Sequence, residues 1–399
     1  MELIAVPDAL REVLARAPRL APERVPLAAA LDRVLTEPAR ADLDSPPFDA
    51  SAMDGYALRR ADLDASSATL RLVGESAAGA AFAGAIGPGE CVRILTGAPV
   101  PAGADCVVKQ EDTTRDGDQV RCAARPDSGA FIRRRGENRR AGEIIVAAGT
   151  GLGPPELAAL ASAGITQPPV TRRPRVAHVV TGNELVPPDH APTGAQIRDS
   201  NSALIAALVA RQRAELAGHV HVRDDLPAAE AAIGALPAHD VLLISGGAGA
   251  GDHDFARPVL RALGYTLRFQ QVNLRPGKPL VFATRGEQLA FVLPGNPVSH
   301  WVTFALFVAP LLQQLATGRD CSPPRLLGRL AASSPLPSSD ARQTIWPARA
   351  TIVNGQYVLS LLPLASSGDS SSLVGANALV PLPAKGLDVT SPVEFIDCR

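Results

Sequence analysis

The chain has 399 residues, 46% of them hydrophobic and 20% charged, a length that predicts roughly two to four domains with ordinary soluble cores. With 39 Lys and Arg against 40 Asp and Glu the net charge is −1, so there is no basic excess for nucleic acid. Five scattered cysteines without a CxxC pair exclude a disulfide framework and fit a reducing cytoplasm.

The opening MELIAVPDALREVL lacks a basic-then-apolar signal pattern. The longest apolar run, around Trp301–Leu312, is interrupted by Pro310 and reads as too short to span a bilayer. A cytoplasmic protein without membrane association is expected. In chain order, the pattern predicts helices over Pro7–Ala17 and Leu27–Leu35. A Gly- and Pro-rich β module follows over 46–140, with strands at Thr69–Val73 and Cys91–Leu95. A short helix, Pro155–Ala163, precedes a linker at Pro168 and Pro169. From Arg175 strands and helices alternate: strand Arg175–Val180, helix Asn201–Leu216 capped by Ser200 or Asn201, strand Val220–Val222, helix Ala228–Leu236 and strand Val241–Ser245. A helix over Phe255–Leu263, strands near Leu267–Val272, Leu280–Ala283 and Ala290–Leu293, and a helix from Val298 to about Leu315 complete the series. Such alternation predicts a mostly parallel sheet with helices on both faces and a ligand at the strands' carboxyl ends. Residues 321–399, with Pro-rich turns and short strands at Thr344–Ile345, Gln356–Leu361 and Ala378–Pro381, read as a separate small β domain.

Several segments carry chemistry. SPPFDASAMDGYAL, Ser45–Leu58, places Asp49 and Asp54 between a stiff Pro46-Pro47 approach and Gly55, expected to turn the chain sharply and leave Asp54 outside the bend. An isolated Asp-Gly pair would be an ordinary turn; the density of special residues favours a site loop. Thr96 roots the stiff loop of RILTGAPVPAGADCVV, residues 93–108, either to cap a turn or to touch a ligand. Arg133-Arg134-Arg135 is either a solvated run or an anion-steering rim. Strand Val241–Ser245 runs into GGAGAGDHD, where Gly246, Gly247, Gly249 and Gly251 let backbone N–H groups curl around an anion ahead of a helix N-terminus. A plain flexible turn is the alternative for the glycines alone. Asp252 and Asp254 beside them favour a divalent cation that bridges phosphate oxygens. Glu184, Asp224 and Asp254 each follow a successive strand and are expected to converge on one edge of the sheet. In VNLRPGKPLVFA, residues 272–283, Pro276 and Pro279 stiffen a loop that presents Lys278 on Gly277, with Arg275 as a second cation for a phosphate or oxyanion. In LPGNPVS, Asn296 or Ser299 caps the following helix or offers amide donors. His219 and His221 share one strand face and read as surface or core residues rather than zinc ligands.

Taken in order, SPPFDASAMDGYAL, RILTGAPVPAGADCVV, IRRRGENRRAGE, VVTGNEL, QIRDSN, LLISGGAGAGDHD, RPGKPLVFA and LPGNPVS resemble the molybdopterin molybdenumtransferases, the MoeA family, which includes the C-terminal domain of gephyrin. The resemblance covers nearly the whole chain. It implies a multidomain α/β plus β fold: an elongated N-terminal domain (1–45 with 141–172), an inserted β domain (46–140), a central doubly wound, mostly parallel α/β molybdopterin-binding domain (173–320) and a C-terminal β-barrel-like domain (321–399). It implies a homodimer whose site lies between the α/β domain of one subunit and the β module of the other. The implied reaction is the last step of molybdenum cofactor synthesis: adenylyl-molybdopterin is cleaved, molybdate is inserted at the dithiolene and AMP leaves, with Mg2+ required. Motif to motif, Asp54, Thr96, Glu184, Asp224, Asp254 and Lys278 fall on functional positions, Glu184, Asp224 and Asp254 among them as magnesium ligands. Gly246, Gly247, Gly249, Gly251, Arg275, Pro276, Gly277, Asn296, Ser299, Arg349 and Ser367 fall on substrate positions, with Arg342 near Arg349. Contacts with the molybdopterin adenylyltransferase and with acceptor enzymes are also implied. Asn138 stands where the family often has Asp, Gly249 where it has Ser, and Gln271 and Arg275 where lysines are common. These departures leave open a second reading, a diverged paralogue that holds molybdopterin or the finished cofactor for storage, delivery or regulation without turnover. The adenylyltransferase step itself is disfavoured, because that smaller enzyme would lack the MDGYA and TGAPVP segments.

Overall fold

A computed structural model of the chain describes residues 3–64, 68–223, 225–247, 256–331, 341–382 and 391–399. It divides into two compact units, Arg24–Pro169 and Met1–Glu23 with Val170–Arg399.

In the Arg24–Pro169 unit, six strands form a sheet in the spatial order Cys106–Lys109, Gly55–Leu58, Glu90–Ile94, Ala68–Ser76, Gln119–Cys122, Thr113–Asp116. Only the pairing of Ala68–Ser76 with Glu90–Ile94 is parallel. Tyr56 and Leu58 pack with Cys91, Cys106, Val108 and Val120, while Ala57 packs with Ile94, Val107 and Ile132 on the opposite face. Each Leu, Ile or Val among them, fully buried, contributes roughly 1.5–3 kcal/mol. Gly55 does not turn the chain; it opens the strand Gly55–Leu58. What it supplies is room, since a Cβ there would stand 2.0 Å from the Val108 carbonyl oxygen. The helix expected over Leu27–Leu35 is absent: only Leu27–Ala29 forms a 3₁₀ turn, which buries nothing. A helix without a packed face lacks the tertiary support that short helices need.

In the other unit, six strands form a sheet in the order Glu215–Val222, Arg175–Thr181, Val241–Ser245, Gln288–Leu293, Val281–Arg285, Thr266–Phe269. The first four are parallel, Val281–Arg285 runs antiparallel to both of its neighbours, and Thr266–Phe269 therefore runs with the first four. The Gly286-Glu287 turn between Val281–Arg285 and Gln288–Leu293 is too short for a crossover, so those strands must run opposite ways. Helices cover both faces, as expected. Val176, Leu243 and Phe291 pack with Ile205, Val209, Trp301 and Phe304. Ala177, Val179, Leu242 and Ile244 pack with Ala229, Ile233, Val259 and Leu260 on the other side. The helix Asn201–Arg211 ends earlier than its periodicity predicts. Arg213 adopts a φ of 57°, and Glu215 begins the edge strand Glu215–Val222, with Leu216 exposed on it.

Pro310 does not break the helix Pro297–Thr317. Phe304–Val308 forms a π-helical turn in which the Ala309 N–H reaches the Phe304 carbonyl. That opens the hydrogen-bond ladder just ahead of the proline, which has no N–H to give. By length and composition this helix could cross a membrane, but 78% of its most apolar window is buried inside the protein, as in a core helix.

At the C-terminus, Gln343–Val353, Gln356–Leu361, Arg325–Leu330, Val393–Asp397 and Ala378–Leu382 pair in turn, and the last pairs back with the first to close a barrel. Its core holds Leu330, Ala348, Leu359, Val380 and Phe395. Leu274–Arg275 pairs with Gln343–Thr344, which stitches the RPGKP segment to the barrel.

Candidate functional site

The carboxyl ends of Arg175–Thr181 and Val241–Ser245, the start of helix Asn201–Arg211 and the Pro294–Pro297 loop enclose a cavity of about 770 Å³. Parallel strands leave their loops at this edge, which is why the wall gathers there. Glu184, Asp199, Asn201, Gly246, Gly247 and Asn296 line it. Gly246 (φ 97°) is required by crowding as well as conformation, since a Cβ would lie 2.9 Å from the Thr181 carbonyl oxygen. Asn201 Nδ2 donates to the Gly295 carbonyl at 2.7 Å. Asn296 Nδ2 donates to Ser367 Oγ at 2.9 Å, and the Val298 N–H donates to the Ser367 carbonyl at 3.1 Å. The capping expected of Ser200, Asn201 and Asn296 is therefore not seen, because their side chains serve elsewhere or make no cap bond. Asp199 instead accepts from the Ser202 N–H at 3.0 Å.

A second cavity, of about 360 Å³, adjoins the first and shares Pro279 and Ser299 with it. Arg275, Lys278 and Arg342 converge on its wall with Pro276, Gly277 and Ser367, and among the described residues no carboxylate lines it. Three cations beside hydroxyls and a proline-stiffened loop suit a tetrahedral oxyanion. Gly277 takes a φ of 120°, and a Cβ there would stand 2.7 Å from Thr303 Cγ2. Arg349 lines neither cavity; it sits on the barrel strand with Nε donating to the Gly375 carbonyl at 3.4 Å. Its neighbour Arg342 reaches the site instead. Asp199 and Asn201 were missed as site residues, although the QIRDSN segment that holds them is a motif in its own right.

In the Arg24–Pro169 unit, Asp54 Oδ1 accepts from both the Thr96 N–H and the Thr96 hydroxyl, each at 2.7 Å. Those two bonds, backbone first, and the nearby Arg93 hold the Asp54 carboxyl below the usual carboxylate range. Asp49 is a clamp rather than an open acid: it accepts from Arg134 Nη1 at 2.6 Å and the Arg135 N–H at 2.8 Å. Arg135 Nε reaches Asp44 at 2.6 Å and Arg133 Nε stands 4.0 Å from Glu137, so all three clustered arginines have a carboxylate partner. Arg133 Nη2 donates to Asn138 Oδ1 at 2.6 Å, so this Asn keeps the acceptor an Asp would offer.

Asp224, Gly249, Gly251, Asp252 and Asp254 lie outside the described residues. Among the described residues no group of three His, Cys, Asp or Glu side chains is assembled to hold a metal ion. The larger cavity's wall offers oxygen ligands, the Glu184 and Asp199 carboxylates foremost, alongside the Arg198 guanidinium. That donor set suits Mg2+, which takes one or two carboxylates and keeps several waters.

Residues 4–164 match the MoeA N-terminal region (domain I and II), and residues 177–314 match a probable molybdopterin binding domain. A molybdopterin molybdenumtransferase of Nostoc sp. is 37% identical over 371 residues, 90% of this chain and 85% of that one. The chain belongs to the MoeA family. A second molybdopterin molybdenumtransferase, from Synechococcus elongatus, is 36% identical over 388 residues, 94% of each chain. Two crystal structures of the molybdopterin biosynthesis MoeA protein from Pyrococcus horikoshii superpose with TM-scores of 0.85 and 0.76 at 29% and 27% identity, each over at least 99% of both chains. The multidomain MoeA fold, with its α/β sheet, β module and closed C-terminal barrel, is the one expected from the sequence motifs.

Proposed function

We propose that this MoeA-family protein inserts molybdate at the dithiolene of adenylyl-molybdopterin and releases AMP. The observation that carries the reading is the junction of two cavities, a tricationic one of about 360 Å³ and a larger one of about 770 Å³ at the strand ends. Molybdate and phosphate are both tetrahedral oxyanions, so Arg275, Lys278 and Arg342 suit either, and the larger cavity suits a nucleotide or pterin body. Ser299 and Pro279 stand where the two meet. Glu184, with Asp224 and Asp254, would hold a magnesium ion; bound there, it would offset the charge of the phosphoanhydride. The Gly246 N–H is taken by the Leu293 carbonyl at 3.2 Å, so Gly247, continuing through Gly249 and Gly251, would offer the backbone N–H groups to the same anion while Gly246 shapes the turn. Asp54, kept ionised by Thr96, is proposed as a catalytic carboxylate. A cytoplasmic homodimer that draws on the adenylyltransferase and delivers to acceptor enzymes completes the reading.

The test is molybdate-dependent release of AMP from adenylyl-molybdopterin. Release above the enzyme-free rate is expected. Lys278→Ala should raise the molybdate concentration for half-maximal rate by about tenfold, the loss of one charge-assisted hydrogen bond. Release no faster than background would overturn the enzyme reading in favour of the binding protein without turnover, which the Gly249 and Arg275 departures would then explain.

A further inference from the structure

Beneath the larger cavity runs a chain of polar groups that the proposed chemistry does not use. His178 Nε2 lies 2.6 Å from Ser245 Oγ, which lies 3.5 Å from His300 Nε2. His178 Nδ1 lies 3.0 Å from His219 Nδ1, and His300 Nδ1 lies 3.0 Å from the Pro294 carbonyl oxygen. His178 and His300 are 0% exposed and Ser245 is 1% exposed. Strand alternation explains the alignment: His178 shares a face with Val176, and Ser245 with Leu243, the side packed against the helix that bears His300. His219 is the cross-strand partner of His178.

The proton positions follow from the carbonyl end. The Pro294 carbonyl can only accept, so His300 Nδ1 carries the hydrogen and, in the neutral ring, Nε2 accepts. The Ser245 hydroxyl donates to it and accepts from His178 Nε2–H. His178 Nδ1 is then bare and accepts from His219 Nδ1–H. Burial keeps both inner rings neutral, with the His178 imidazole well below its ordinary value and His300 pushed down to about 4. Every bond in the chain points the same way.

The chain ties five elements: the strands that bear His219, His178 and Ser245, the helix Pro297–Thr303 and the Pro294–Asn296 loop. The same loop is held by Asn201 at the Gly295 carbonyl, and the Gly246 N–H donates to the Leu293 carbonyl at 3.2 Å. Apolar side chains at 178, 245 and 300 would match their neighbours in the core. Two buried, hydrogen-bonded imidazoles there add little net stability; what they supply over an apolar pair is direction. We propose that His178, Ser245 and His300 are positioning residues that preset the Pro294–Asn296 loop against the Ser245–Gly247 strand exit, so that the cavity floor is formed before substrate arrives. This rests on the assignment of that cavity to substrate.

The test uses the full chain, calorimetric titration with AMP, and steady-state kinetics with adenylyl-molybdopterin. His178→Leu and Ser245→Ala should each weaken AMP affinity and raise KM by about tenfold, with kcat within about twofold and an undiminished melting temperature. His178→Gln, whose amide N–H reaches about where imidazole Nε2–H stood, should recover most of the affinity. No AMP binding by the wild-type protein would overturn the cavity assignment itself. Wild-type AMP binding that Ser245→Ala and His178→Leu both preserve would overturn the positioning role alone. Equal losses in the Leu and Gln variants would also overturn it, by reducing the ring to packing. Ser245 also lines the cavity, so should His178→Leu fail to fold, the same Leu-against-Gln comparison at His300, which does not line it, decides the matter.

Discussion

Asp54 is exposed yet held ionised, because a backbone N–H and a hydroxyl from one residue, Thr96, both donate to one carboxylate oxygen. Its folded pKa lies below the unfolded one, so the clamp's stabilisation is present above the unfolded value and is lost as pH falls through the folded value. Asp54→Asn should lower turnover by about a hundredfold, the usual scale for a positioned acid or base, with the fold retained by circular dichroism. Thr96→Val should move the acid limb of the rate–pH profile upward, since it removes one of the two donors. A profile that does not move would dissociate Thr96 from the charge on Asp54. Both residues were legible as loop residues. That they form one unit was not, because they stand 42 residues apart and meet through the pairing of Gly55 with Ile94.

At the scale of elements, Gly55 shows how a correct motif can carry the wrong reason. An Asp-Gly pair reads as a turn, yet here the glycine is the buried first residue of a strand pressed on Val108. Gly55→Ala should destabilise the Arg24–Pro169 unit by about 3 kcal/mol, the upper range for overpacking, seen as a lowered midpoint in thermal or urea denaturation. An unchanged midpoint would mean that the neighbouring Cys106–Lys109 strand yields at no cost. The strand Glu215–Val222 makes the same point from the other side. Apolar spacing continued the preceding helix to Leu216, but register with Arg175–Thr181 offered Glu215 onward a full parallel ladder. Pairing with a distant strand overrode a local period. The helix expected from Val298 to about Leu315 does run through Pro310, and a π-helical turn absorbs the missing N–H.

At the scale of the whole molecule, the buried His300 makes stability depend on pH. His300 titrates at an ordinary 6.5 when unfolded and about 4 when folded. The unfolded state therefore binds the extra proton between those values, and stability falls as pH drops from about 6.5 to about 4 and no further from this group. The full change amounts to about 3 kcal/mol, from 1.36 kcal/mol per pKa unit. Urea denaturation at pH 7.5 and pH 4.5 should show His300→Leu losing less stability than the wild-type protein over that interval. An identical loss would show that the ring is solvated in solution.

The sequence by itself determined the family, because eight motifs in order survive as linear text, and it determined the alternation of strand and helix, because periodicity is read over neighbouring residues. Only the tertiary structure decided which side chains meet. Arg342 joins Arg275 and Lys278 because the strand Leu274–Arg275 pairs with the barrel strand that begins at Gln343. Ser367 reaches Asn296, and His178 reaches Ser245 and His300, across segments far apart in the chain. Such meetings depend on sheet register and on which helix face packs inward. Those are set by the burial of the whole core, not by any residue's own neighbours in the chain.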